Sequence, residues 1–166
     1  MGRFKFLLIV LVFVLPFIFA KHLFDNDVTA KRGTTNHGTF LANDINIENL
    51  QDNNHWVILQ VIDNTCDSLC QDNMYMLRQI NTALGKDMDR VKRYLLWNNT
   101  QKNTVNIEKY PKLIVLDKPE TLYNSLTKMD ERIFIADPFG KIILGYDNDF
   151  VAKGLLKDLK KLLKFS

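Results

Sequence analysis

The chain has 166 residues, of which 46% are hydrophobic and only 7 are glycine and 4 proline, which fits one folded domain plus a short extra segment and excludes a disordered or low-complexity chain. The net charge of +3 is accounted for by Arg3, Lys5 and Lys21, because acidic and basic residues balance beyond residue 21. A neutral body has no electrostatic reason to bind nucleic acid.

Arg3 and Lys5 precede an apolar run over residues 6–20 (FLLIVLVFVLPFIFA). A basic start followed by an apolar stretch is the layout of a signal sequence. As a helix the run measures roughly 23 Å, short of the ~30 Å bilayer core. Two features favour a retained anchor over a cleaved signal. Ile18 breaks the small-residue pattern expected before a cut after Ala20. Phe4, Leu23 and Phe24 extend the apolar character, while Lys5 and Lys21 can reach the interface. Positive charge before the run keeps that end in the cytoplasm and sends the rest across. The expected organisation is an anchor over residues 1–21, a polar linker over 22–36 and a folded domain over 37–166. The expected location is a bacterial inner membrane, spanned once, with the domain in the periplasm.

Along the domain, residues 56–62 (WVILQVI) read as a short buried strand. Residues 66–84 read as a helix, because Met74, Leu77, Ile80 and Leu84 recur at spacings of three and four. Asn64 or Thr65 is the expected cap and Gly85 the expected stop. Residues 90–97 (RVKRYLLW) and 113–116 (LIVL) read as strands, and 119–128 as a short helix with Pro119 in its first turn. Residues 133–136 (IFIA) and 142–144 (IIL) form a hairpin through Asp137-Pro138-Phe139-Gly140. Residues 149–165 carry an apolar stripe of Val151, Leu155, Leu159 and Leu162 with lysines on the remaining faces, as expected of a closing helix packed on a sheet. This order, with early parallel strands, a helical crossover, a hairpin and a closing helix, matches the thioredoxin plan: an α/β fold with a central mixed sheet flanked by helices.

The chain has 2 cysteines, in Cys66-Asp67-Ser68-Leu69-Cys70. They lie just past a buried strand, in the expected opening turn of a helix, where positions i and i+4 share a face. Free amide hydrogens at a helix start favour an anion, which gives Cys66 thiolate character; Asp67 opposes this. Two such sulfurs can form a disulfide or bind a soft metal ion. A structural disulfide would constrain the unfolded chain little across so small a loop, and buried inert cysteines are a further reading. The polar neighbours Asp67, Ser68 and Gln71 favour an exposed, working pair.

The segment WVILQVIDNTCDSLCQDNMYMLRQINTALGK resembles the active-site strand and helix of the SCO/SenC family, RIFIADPFGKIILGY resembles that family's hairpin, and KGLLKDLKKLLK its closing helix. The resemblance covers about residues 33–166 and points to a short bacterial branch. It implies a membrane-anchored, thioredoxin-fold protein of cytochrome c oxidase assembly that handles thiols or copper through Cys66 and Cys70. It implies copper as the metal, and a respiratory oxidase subunit or another thiol or copper protein outside the cytoplasm as the partner. The chain departs from the family at two places. Gln71 follows the second cysteine where the family has proline. Lys128, Met129 and Asp130 stand where it has a histidine that completes a Cys-Cys-His copper site.

Met129 is the candidate replacement, since two thiolates without that histidine favour Cu(I) and a thioether suits Cu(I), against the plainer reading of a surface or capping methionine. His55 is at the wrong end of its strand to reach the pair, and His22 and His37 lie in the linker and a loop. Ser68 and Ser125 have no histidine base nearby, which speaks against a hydrolase. The expected functions are therefore thiol-disulfide exchange or Cu(I) transfer. The alternative is a degenerate scaffold that binds assembly partners without redox or metal activity.

Overall fold

The computed structural model describes residues 2, 5, 11–18, 21, 36–41, 45–47, 54–63, 65–97, 105–116 and 120–164. The chain divides into two units, Met1–Thr35 and Asn36–Ser166. In the first, residues 11–18 are helical with exposed side chains. Among the described residues, no helix is long and apolar enough to cross a membrane. Much of the expected anchor over 1–21 and nearly all of the expected linker over 22–36 lie outside the described residues.

Among the described residues, the second unit is built on six strands: β1 (Thr39–Phe40), β2 (Trp56–Ile62), β3 (Val91–Trp97), β4 (Leu113–Leu116), β5 (Ile133–Ala136) and β6 (Ile142–Tyr146). They form one sheet in the order β1-β6-β5-β2-β3-β4. β2 pairs in parallel with β3, and β3 with β4, while β5 runs antiparallel to β2 and to β6. The sheet is therefore mixed, as the element order requires. Helix α1 (Ser68–Ala83) makes the crossover from β2 to β3; α2 (Glu120–Leu126) precedes the hairpin and α3 (Ala152–Leu162) closes the unit.

Every residue of β2 is buried, which explains its nearly continuous apolar run: both faces of this central strand are covered. One face packs Trp56 and Ile58 against Leu77 and Ile80 of α1 and Leu155 and Leu159 of α3. The other packs Val57, Leu59 and Val61 against Leu122 and Leu126 of α2. A third cluster at the carboxyl end of β2 joins Ile62 and Cys66 to Met74, Leu95 and Trp97.

The helix boundaries follow local chemistry. Leu84 ends α1, and Gly85 follows at φ +61°, a left-handed conformation that glycine adopts without steric cost. In the hairpin turn, Asp137 Oδ1 accepts from the amides of Phe139 and Lys141, each at 2.9 Å. That bonding is why aspartate opens the turn. The helix start differs from the sequence expectation. The cap is Asp67, whose Oδ1 accepts from the Cys70 amide at 2.9 Å, rather than Asn64 or Thr65. A carboxylate two residues further on reaches an amide of the first turn, so the helix begins later.

One buried polar group joins several segments of the domain. Asp158 of α3 is fully buried, and its Oδ2 accepts from the amides of His37 and Gly38 and from the Tyr146 hydroxyl. It ties the segment leading into β1 to the hairpin and to the closing helix. A side chain at Gly38 would place its Cβ 2.5 Å from the Tyr146 ring, so only glycine fits there.

Candidate functional site: the Cys66–Cys70 loop

The site lies where β2 ends and α1 begins. Cys66 and Cys70 are joined in a disulfide with their Cα atoms 5.1 Å apart. The late helix start changes their setting. Cys66 precedes the cap and is outside the helix, so the pair does not share a helix face as i and i+4; the sulfurs meet across the extended cap residue Asp67 and the first helical turn. Cys66 is buried against Ile62, Met74 and Leu95, while Cys70 is partly exposed. Between them Asp67, Ser68 and Leu69 are exposed, so the loop presents itself to solvent.

Beneath the pair sits Gln60, a polar residue in an otherwise apolar strand and only 3% exposed. Its Nε2 donates to the Cys70 carbonyl at 3.1 Å and lies 3.7 Å from Cys70 Sγ. Sequence reasoning missed it. The signal was a lone glutamine within WVILQVI, because a buried amide needs partners and this one finds them at the cysteine. The site is closed on one side by Tyr110, whose hydroxyl donates to the Gln71 carbonyl at 3.4 Å.

The strand end is braced from its other face. The Tyr123 hydroxyl donates to the Asp63 carbonyl at 2.6 Å, and Arg132 lies 3.6 Å from the Asp63 carboxylate. Burial, and then the nearby Asp63 carboxylate, hold the Tyr123 hydroxyl pKa above its ordinary value. Arg132 also donates to the carbonyls of Met129 and Glu131. The loop carrying Met129 thus borders the carboxyl end of β2, the same end of the sheet as the cysteines. The Met129 side chain itself packs against the cluster around Leu126, and the cysteines belong to a different cluster.

His55 lies at the opposite end of β2, and His37 lies by α3, where a Cβ on Gly154 would come 2.7 Å from its ring. Neither is brought to the pair. Among the described residues, no group of three or more His, Cys, Asp or Glu side chains could hold a metal ion.

Comparison with known proteins agrees with this architecture. No curated protein matches the chain. Among solved structures, it is similar to the apo Sco1 protein of Thermus thermophilus, with a TM-score of 0.58 and 17% identity over 76% of this chain and 96% of that one. It is similar to copper-bound ScoI of Arabidopsis thaliana, with a TM-score of 0.53 and 14% identity over 68% and 86% of the two chains. A thiol:disulfide interchange protein from Bacteroides sp. gives a TM-score of 0.50 and 14% identity over 76% and 90%. At these identities the likeness is one of fold. The family described as transmembrane-like, thioredoxin-like, C-terminal domain matches residues 56–166, from the start of β2 through α3. The chain therefore belongs to the transmembrane-like, thioredoxin-like C-terminal domain family, on a thioredoxin-like α/β fold shared with Sco proteins.

Proposed function

We propose that the chain is a thiol-disulfide exchange protein whose working group is the Cys66–Cys70 pair. The observation that carries this reading is a disulfide across an exposed three-residue spacer at a helix start, with a buried amide donor at Cys70. In the reduced form, a thiolate attacks a sulfur of a partner disulfide and releases one partner thiolate. The second cysteine then attacks the mixed disulfide and releases the other. Two electrons pass to the partner, the Cys66–Cys70 bond forms, and the partner leaves as a dithiol; run backwards, the cycle oxidises a partner dithiol.

The reduced pair also offers two soft sulfur donors, which suit Cu(I) as a transferred cargo. One of the solved relatives in fold is a copper-bound Sco protein. The partner in either case is a respiratory oxidase subunit or another thiol or copper protein outside the cytoplasm. Met129 is the candidate third donor, on a loop bordering the same end of the sheet, and joining the site requires its side chain to leave the Leu126 cluster. A scaffold without redox or metal activity would leave the exposed cysteine loop unexplained.

The apolar run over 6–20, flanked by Lys5 and Lys21, supports tethering to a bacterial inner membrane with the domain in the periplasm. Retention in membranes after a carbonate wash, with a reporter fused after Ser166 working only outside the cytoplasm, is the expected result; a soluble chain beginning near Lys21 would oppose it. For the chemistry, the full chain should reduce or oxidise a model disulfide substrate, and Cys66→Ser and Cys70→Ser should each abolish complete turnover. Wild-type turnover no faster than the double variant would defeat the exchange reading. Binding of one Cu(I) to the reduced chain, lost on oxidation, tests the cargo reading separately, and unchanged affinity in Met129→Leu would remove Met129 as a donor.

A further inference from the structure

The amino ends of the three parallel strands border an open cavity, at the opposite end of the sheet from the cysteines. It has a volume of about 370 Å³ and is lined by His55, Asn81, Asp89, Val91, Arg93 and Lys112, among others. Its charged lining is mostly cationic, Lys92, Arg93 and Lys112 against Asp89. Arg93, in mid-sheet on β3, is 5% exposed, yet its guanidinium donates to one acceptor among the described residues, the Pro111 carbonyl. A guanidinium has donors on three nitrogens, and buried donors require acceptors. Burial, and then the like charge of Arg78, lower its pKa from the ordinary arginine value, and no carboxylate among the described residues offsets them. His55 adds a second unmet group: its Nδ1 is buried with no hydrogen-bond partner among the described residues. Lys112 stands at the rim, paired at 3.3 Å with Asp89, and both side chains are largely exposed. So exposed a pair is weak and can open to a competing anion at small cost.

We propose that this cavity binds a small oxyanion, a carboxylate or a phosphate, with Arg93 and His55 as the inner donors and Lys112 at the rim. The planar guanidinium matches the paired oxygens of either group. The volume also leaves room for a small organic body beside the anionic head. The site is independent of the cysteine chemistry and stands whether or not that reading survives.

The test is a nuclear magnetic resonance titration of the isotope-labelled full chain in detergent. Inorganic phosphate and succinate are added in separate arms against chloride at matched ionic strength. The expected result is a saturable shift of the Arg93 side-chain Nε–H and the His55 and Val91 amides in at least one arm, with the stronger arm naming the head group. His55→Phe should weaken that binding about tenfold, the equivalent of one charge-assisted hydrogen bond. Lys112→Glu, a rim change that leaves the core intact, should weaken it in the same direction. Lys157→Glu, on the exposed face of α3, should leave it unchanged. Shifts that never saturate, that spread over surface lysines, or that persist equally in His55→Phe and Lys112→Glu would overturn the proposal.

Discussion

The Gln60 amide reaches from the buried strand to Cys70, bonding its carbonyl at 3.1 Å and approaching its sulfur at 3.7 Å. A donor aimed at a sulfur favours the charged form of that thiol. The sequence places the more acidic thiol at Cys66, nearest an expected helix start. The observed cap at Asp67 leaves Cys66 outside the helix and buried, whereas Cys70 is partly exposed and has the amide. In the reduced chain, Gln60→Leu should raise the Cys70 pKa by about one unit, from the loss of a hydrogen bond to a charged acceptor. Cys66 should move less. The pH dependence of alkylation at each cysteine checks this, and an unchanged Cys70 would show that Gln60 serves only the carbonyl.

Asp67 does two things at once, and they can be separated. Its carboxylate caps α1 and places a negative charge beside the pair. Asp67→Ala should lose about 1 kcal/mol of stability with the cap. Asp67→Asn keeps a capping oxygen and removes the charge, so stability should hold while the thiol pKa values fall. Urea unfolding together with thiol titration distinguishes the two variants.

The small loop closed by Cys66 and Cys70 constrains the unfolded chain little. Replacing both cysteines by serine should cost no more than about 2 kcal/mol, from the loop-closure entropy of so short a ring. The double variant should therefore remain folded by circular dichroism. Collapse of the fold would make the bond structural.

Asp158 and Tyr146 supply a pH-dependent element that is separate from the cysteine chemistry. Burial, and then the hydrogen bond to Asp158, hold the Tyr146 hydroxyl pKa well above its ordinary value. A pKa raised on folding contributes stability that is complete below the unfolded value of about 10 and is lost as the pH climbs beyond it. Unfolding free energy should thus fall more steeply above pH ~10 in the wild type than in Tyr146→Phe, which lacks the titrating group. Parallel alkaline profiles for the two would contradict this. Asp158→Ala should also speed amide exchange at Gly38, whose amide loses its acceptor.

Much of this architecture was legible in the residues because it rests on local periodicity. The run WVILQVI marked the central strand, and the spacing of Met74, Leu77 and Ile80 marked the face of α1 that packs on it. The DPFG turn and the Gly85 stop are local chemistry of the same kind. What escaped depended on partners distant in sequence. Asp158 lies 120 residues from Gly38, and nothing in the lysine-rich helix shows that this carboxylate points inward. Gln60 has meaning only once α1 brings Cys70 over it. Asp67 was local yet missed, since three neighbouring polar residues could have capped the helix and spacing does not choose among them.

The central claim is that Cys66 and Cys70 interconvert between dithiol and disulfide within the native fold. The most direct test is the reduction potential of the pair, measured by equilibrating the full chain in redox buffers of graded potential and counting free thiols. A redox-active pair should titrate reversibly as a two-electron couple above about −300 mV, the range in which exchange proteins lie and structural disulfides do not. A bond still closed below about −300 mV, or one that opens only when the domain unfolds, would contradict the account.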